Sequence, residues 1–378
     1  MAKVDQYRIK SGMNYVARRR RFLFKPAPTP DNMPVAEGPA PMPTAPALKN
    51  LIVYTSSHEQ CGVREYAREL DDQLRELGVS VTEIPLSDLT SLRNAAPGQV
   101  FLLHVEPSLL GPDFDNALSS ALQRGAYVAV CFHYLDDTLY RRIQNRAHAM
   151  VRHRDYGIHD PRLHEVPLGC PVYEPPSDEE RRALRQRFGL PQGATVVTTV
   201  GFLSPWKQIP ETALHLLGRL PENAHLQLIC PSHFSGESGT EAHKLSAIVD
   251  MHPTKAIWTS SFIPARELLD RVAASDLGFV YHPVNTGSCS AATKPFVSAR
   301  CPVVVTSSNH ASDIREGAIR TPQLDIAGFA ETVASVTRNP HSLHHFRAGM
   351  QRDYERLNMR RVAEQYLDVF RRIGVNLT

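Results

Sequence analysis

Leu51-Ile-Val-Tyr54, a short apolar run, passes into the polar stretch Thr55-Ser-Ser-His-Glu-Gln-Cys-Gly62 and then into a segment whose Tyr66, Leu70, Leu74 and Leu77 return every three or four residues before Gly78. A continuous apolar run bounded by polar residues reads as a buried strand, and the three-to-four spacing as the inner face of an amphipathic helix. Gly78 supplies the left-handed residue that commonly ends a helix. With a further strand over Val79–Ile84, the order is strand, helix, strand, and such a unit calls for a parallel sheet.

The alternation continues outward from this unit. Val100–His104, Tyr127–Phe132 and Ala149–Arg152 read as strands, with a helix over Phe114–Gln123. Pro171-Val-Tyr-Glu-Pro-Pro176 reads as a crossing, because adjacent prolines exclude regular backbone pairing. Beyond it Ser177 caps an acid-led helix running to Phe188. Strands follow at Thr195–Val200, His225–Cys230, Ala256–Thr259, Leu277–Tyr281 and Pro302–Thr306, with helices at Pro210–Leu220, Arg266–Ala274 and Ala291–Ala299. The expected fold class is α/β, two Rossmann-like domains facing a central cleft. The chain has 378 residues, 42% of them hydrophobic, enough to fill two cores. The expected boundaries are a basic, Pro-rich extension over 1–48, Rossmann-like domains over 49–171 and 172–355, and a closing helix within 356–378 that packs back on the first domain. That helix is amphipathic through Val362, Tyr366, Val369 and Phe370.

Charge is distributed unevenly. Residues 1–25 hold eight Lys or Arg against one acid, Asp5, so the net charge of +3 belongs to this segment and the rest of the chain is net acidic. An Arg-rich segment on a proline-rich leash suits nucleic acid or another anionic surface as a partner. No run approaches the roughly 18 to 20 apolar residues needed to span a bilayer. The six cysteines, Cys61, Cys131, Cys170, Cys230, Cys289 and Cys301, are widely separated and form no CxxC pair. They read as reduced thiols of a cytoplasmic protein.

Ligands in open α/β sheets bind outside the carboxyl ends of strands, so the loops after strands are the candidates. Gly62 opens a helix, where backbone N–H groups face outward and favour an anion. Lys207 follows Val200-Gly201-Phe-Leu-Ser-Pro-Trp and is placed to neutralise a diphosphate. Thr286-Gly287-Ser288-Cys-Ser290, with Lys294 beyond, offers hydroxyls and amides before a helix. Glu106, in His104-Val-Glu106, and His133, before Tyr-Leu-Asp136, stand where a carboxylate and an imidazole can hold sugar hydroxyls or move protons. No Asp-x-Asp pair follows a strand, so no divalent ion and no cofactor are expected.

With these residues in view, the chain resembles the family-4 retaining glycosyltransferases of the GT-B fold over roughly residues 49 to 375. Cys61-Gly-Val-Arg-Glu-Tyr66, His104-Val-Glu106, Cys131-Phe-His133 and Gly201-Phe-Leu with Lys207 carry the resemblance. So does Phe262-Ile-Pro-Ala-Arg-Glu267, followed by Ala274-Ser-Asp276-Leu-Gly-Phe-Val, which is similar to the part that holds the nucleotide base. The chain departs from the family where Thr286 and Lys294 take the places of a glutamate pair, and where Phe202 stands for an arginine. The resemblance implies a nucleoside-diphosphate sugar as co-substrate, bound by Gly62, Lys207, Phe262, Thr286, Gly287, Ser288, Ser290 and Lys294. It makes 172–355 the donor domain and 49–171 the acceptor domain. His133 would meet the transferred sugar, and Glu106 would orient the acceptor or the histidine. Transfer to a hydroxylated DNA base, or a catalytically silent nucleotide-sugar-binding scaffold, are the alternatives that the basic segment and the missing glutamates raise.

Overall fold

The computed structural model describes residues 50–232, 239–283, 288–322 and 325–377. The expectations for the 1–48 extension, and for Thr286 and Gly287, fall outside these residues.

Two six-stranded sheets carry the architecture. The first contains β1 (Asn50–Thr55), β2 (Ser80–Pro85), β3 (Val100–Val105), β4 (Tyr127–Phe132), β5 (Ala149–Arg152) and β6 (Leu163–Glu165), in the order β2-β1-β3-β4-β5-β6. The second contains β7 (Thr195–Val200), β8 (Ala224–Ile229), β9 (Ala256–Thr259), β10 (Leu277–Val280), β11 (Val303–Thr306) and β12 (Ala318–Thr321), in the order β12-β11-β10-β7-β8-β9. Every named pair is parallel. The architecture is therefore the expected one of two Rossmann-like halves. Each sheet has one point where strand order reverses, between β1 and β3 and between β7 and β10. Ligands of open α/β sheets gather at such points.

The sequence explains why these strands are central. β3 and β4 are buried along their whole length, as strands with helices on both faces must be. The Gly62–Glu76 helix buries Tyr66, Leu70 and Leu74 against this sheet and gives way at Gly78, whose φ is +91°. In the second half, Ser177 and Glu180 form a reciprocal capping box at the start of the Asp178–Arg187 helix, satisfying donors that the first turn leaves open.

Two departures have plain causes. The expected helix over Ala291–Ala299 is a 3₁₀ turn, Ala291–Thr293, followed by a helix, Lys294–Ser298. Pro295 is the reason, since a proline inside a continuous helix loses an N–H bond and clashes with the preceding turn, whereas a first turn accepts it. The edge strands β6 and β12 were not expected, being three and four residues long with little apolar character.

The last helix, Met359–Arg372, buries Met359, Val362, Tyr366, Leu367, Val369 and Phe370 in one cluster with Leu51, Val53, Tyr66 and Leu70 of the first sheet and its helix. No helix among the described residues is long and apolar enough to cross a membrane. All six cysteines are free thiols, and only Cys289 is more than slightly exposed.

Candidate active site

In the first half, the ends of three neighbouring strands converge on a cluster of imidazoles. His104 is the fifth residue of β3 and pairs in register with Cys131 of β4. His133 and His153 lie just past the ends of β4 and β5. His104 Nδ1 lies 3.0 Å from His133 Nε2, and Cys131 Sγ lies 3.8 Å from His133 Nε2 and 3.6 Å from His153 Nε2. His153 donates from Nδ1 to the Val166 carbonyl at 3.1 Å. The Tyr66 ring makes edge-to-face contacts with the rings of His104, His133 and His153. Tyr366, from the last helix, donates its hydroxyl to Cys131 Sγ at 3.0 Å.

Burial sets the charge of this cluster. It lowers the His104 pKa to about 3 and that of His153 to about 4, and places His133 well below the ordinary imidazole range, with the neighbouring imidazoles adding to the effect on His104 and His133. Burial pushes the Cys131 thiol up to about 12. All three imidazoles are thus neutral at neutral pH. His133 is half-exposed, and its Nδ1 has no hydrogen-bond partner among the described residues. Glu106 follows β3, half-buried, with its carboxyl pKa raised by burial and partly restored by a hydrogen bond from Ser108. No hydrogen bond joins it to a histidine among the described residues.

Gly62 opens the Gly62–Glu76 helix beyond β1, with open space where a Cβ would stand. Cys61 caps that helix without a side-chain hydrogen bond, so the first N–H groups lack an internal partner. A cavity of about 470 Å³ is lined by Ser56, Ser57, Asp88, Thr90, Arg93 and Ser108 among others. It sits over the ends of β1, β2 and β3, at the first reversal of strand order.

In the second half, Lys207 ends a 3₁₀ turn, Pro205–Lys207. Its ammonium donates to the Phe202 carbonyl at 3.1 Å and lies 5.4 Å from the Trp206 ring centre. A Cβ on Gly201, whose φ is +131°, would come within 3.3 Å of Lys207 Nζ. Gly201 is therefore glycine for two reasons, its backbone conformation and the space the lysine occupies. Burial lowers the Lys207 pKa from 10.5 to about 8. Lys207 has no carboxylate partner among the described residues, which leaves a half-buried cation at the end of β7.

Beside Lys207, Trp206, His282 and His310 stack in parallel, with His282 and His310 centred 4.2 Å apart and His282 and Trp206 5.4 Å apart. Ser290 Oγ lies 2.9 Å from His282 Nε2, so its hydroxyl is engaged within the protein. Ser288 is half-exposed at the entrance to this loop. Phe262 stacks on Phe202 at 5.9 Å. Lys294 is buried and its ammonium is paired with buried Asp313, so it is held away from the role of a second phosphate cation. The two halves meet here, since Cys289 Sγ lies 3.8 Å from the His153 carbonyl and Arg154 reaches the Asn309 carbonyl at 3.4 Å.

No protein-family model and no curated protein matches the sequence. Solved structures do match in shape. The Anabaena protein Alr3699/HepE, in complex with UDP and glucose, superposes with a TM-score of 0.66 at 12% identity, over 86% of this chain and 100% of that one. A glycosyltransferase from Rickettsia africae gives 0.66 at 10% identity, covering 86% and 98%. A UDP-forming α,α-trehalose-phosphate synthase from Burkholderia xenovorans gives 0.61 at 11% identity, covering 87% and 100%. This is the GT-B fold. At such low identity the likeness concerns the fold, and the chemistry rests on the residues of this chain.

Of the residues expected from the sequence, the fold brings Lys207, Ser288, Ser290, Phe262 and Lys294 to the carboxyl side of the second sheet, and Gly62, Glu106 and His133 to that of the first. Sequence reasoning missed His153, Tyr366, Trp206, His282, His310 and Asp313 as members of the site. His153 was accessible to the same rule that found His133, since it immediately follows a parallel strand.

Proposed function

We propose that the protein is a retaining glycosyltransferase of the family-4 type, moving a hexose-like sugar from a nucleoside-diphosphate donor to an acceptor hydroxyl with no divalent metal at the diphosphate. The observation that carries this reading is Lys207, a half-buried ammonium with no carboxylate partner among the described residues, set over Gly201 at the second reversal of strand order. A cation left uncompensated where ligands gather is suited to an anion, and the bound UDP of the Anabaena neighbour supports a nucleoside diphosphate.

The charge that develops as the glycosidic bond breaks lies on the departing diphosphate, so donors fixed in advance around it lower the barrier most. Lys207 and the open N–H groups at Gly62 supply them. His133, neutral and with Nδ1 available, holds a hydroxyl of the transferred sugar. The serine-lined cavity over β1, β2 and β3 takes the acceptor, its hydroxyls and the Arg93–Asp113 pair matching a polyhydroxylated molecule. Free cysteines support a reducing, cytoplasmic setting.

A panel of UDP-, GDP- and TDP-sugars is to be titrated by thermal shift against the native protein and Lys207→Ala, because a ligand of the native state raises its melting temperature by mass action. One nucleotide sugar should stabilise the native protein and lose that effect in Lys207→Ala. Stabilisation that survives the substitution would remove Lys207 from the donor site. Transfer abolished by a chelator and restored by Mn²⁺ would refute metal independence.

A further inference from the structure

We propose that His104, Cys131 and His133 form a binding site for a soft divalent transition metal of the zinc type. The donor atoms of His104, Cys131 and His133 lie within 4.8 Å of one another, at the ends of neighbouring strands. A zinc ion with bonds of about 2.0 Å to nitrogen and about 2.3 Å to sulfur separates its ligands by roughly 3.3 Å between nitrogens and 3.6 Å between nitrogen and sulfur in a tetrahedral set. The distances here are 3.0 Å between His104 Nδ1 and His133 Nε2, and 3.8 Å between Cys131 Sγ and His133 Nε2.

Surrounding groups favour the same assignment. A carbonyl only accepts, so His153 carries its proton on Nδ1 toward Val166 and turns the Nε2 lone pair toward Cys131, 3.6 Å away. The Tyr366 hydroxyl donates to the sulfur and would steady a thiolate. No carboxylate is hydrogen-bonded to the cluster among the described residues, and a thiolate with imidazoles selects a soft ion over magnesium or calcium. His104 has no exposure, yet its Nε2 has no partner. An apolar residue would pack in β3 without that cost, so the histidine answers to its other nitrogen, which faces the cluster. On binding, the Cys131 thiol releases its proton to solvent and the thiolate takes the ion. His133, half-exposed, opens the way in from the cleft. The site lies apart from Lys207 and shares only His133 with the glycosyltransferase reading; that imidazole meets the ion through Nε2 and leaves Nδ1 for the sugar.

The test needs no sugar. Protein freed of metal with a chelator and then desalted is titrated with Co²⁺ and afterwards with Zn²⁺. One equivalent of Co²⁺ should produce a thiolate-to-cobalt charge-transfer band in the near ultraviolet, which Zn²⁺ displaces. The band should vanish in Cys131→Ser, and the affinity should fall at least about tenfold in His133→Ala, a half-exposed position that serves if Cys131→Ser folds poorly. A folded native protein that shows no such band overturns the proposal. So does a band that persists in Cys131→Ser, because another thiol would then hold the ion, and so does unchanged affinity in His133→Ala.

Discussion

At the scale of the residue, Lys207 shows how burial and charge combine. Its pKa of about 8, against 10.5 for an ordinary lysine, arises because the half-buried ammonium has lost water without gaining a carboxylate. Two opposite consequences follow. Donor affinity requires the cation, so in the free protein it is fully present below pH 8 and weakens as the pH rises through that value. Stability moves the other way over the same window, because above pH 8 the unfolded chain still binds the proton that the folded one has lost. Lys207→Arg keeps its charge throughout. The dissociation constant of the stabilising nucleotide sugar, measured from pH 6.5 to 9.5, should rise for the native protein above about pH 8 and stay nearly flat for Lys207→Arg. Parallel curves would mean that another group sets the dependence. The sequence made Lys207 legible because it follows a glycine-ended strand at a fixed distance. It could not reveal that Lys294 is neutralised by Asp313, a pairing that depends on two segments meeting in space.

At the scale of the element, the central strands were legible nearly to the residue, because a parallel strand covered on both faces is an uninterrupted apolar run. The edges β6 and β12 were not, since pairing along one side leaves less demand on composition. The segment Ala274-Ser-Asp276-Leu-Gly-Phe-Val ties a helix to the second sheet. Asp276 accepts hydrogen bonds from Arg181 at 2.7 Å, Arg185 at 2.6 Å and the Val196 amide at 2.7 Å, joining the Asp178–Arg187 helix to β7. Two residues on, Gly278 in β10 lies under the Phe296 ring, and a Cβ there would come within 2.4 Å of it. Phe296 is fully buried in the Lys294–Ser298 helix and cannot swing aside into solvent. Gly278→Ala should therefore destabilise the protein by about 1–3 kcal/mol through overpacking, read as a lower denaturant midpoint at unchanged slope. Phe296→Leu in the Gly278→Ala background should recover part of that loss, as expected of residues in contact. Strict additivity of the two changes would show that the ring and the strand are not the coupled pair.

At the scale of the whole molecule, the chain closes on itself by sending its last helix back to its first sheet. Cys170 and the segment around Asn358 run side by side at the crossing, with the Cys170 amide on the Leu357 carbonyl at 2.8 Å and the Met359 amide on the Cys170 carbonyl at 2.9 Å. From there the Met359–Arg372 helix covers the Gly62–Glu76 helix, and Tyr366 reaches both Tyr66 and Cys131. The sequence disclosed the amphipathic face but not the imidazole cluster it would complete, because Tyr366 is separated from Cys131 by most of the chain. Six large side chains of this helix are buried, and each is worth roughly 1.5–3 kcal/mol. Their sum, on the order of 10 kcal/mol, matches the net stability of a typical domain. A chain ending at Asn358 should consequently lose its cooperative thermal transition and aggregate. Losing an appendage would instead leave a soluble monomer that melts within a few degrees of the full chain. Circular dichroism melting with size-exclusion chromatography separates the two outcomes. The first makes the last helix a part of the first core, so that the cluster around Cys131 is complete only when that helix is present.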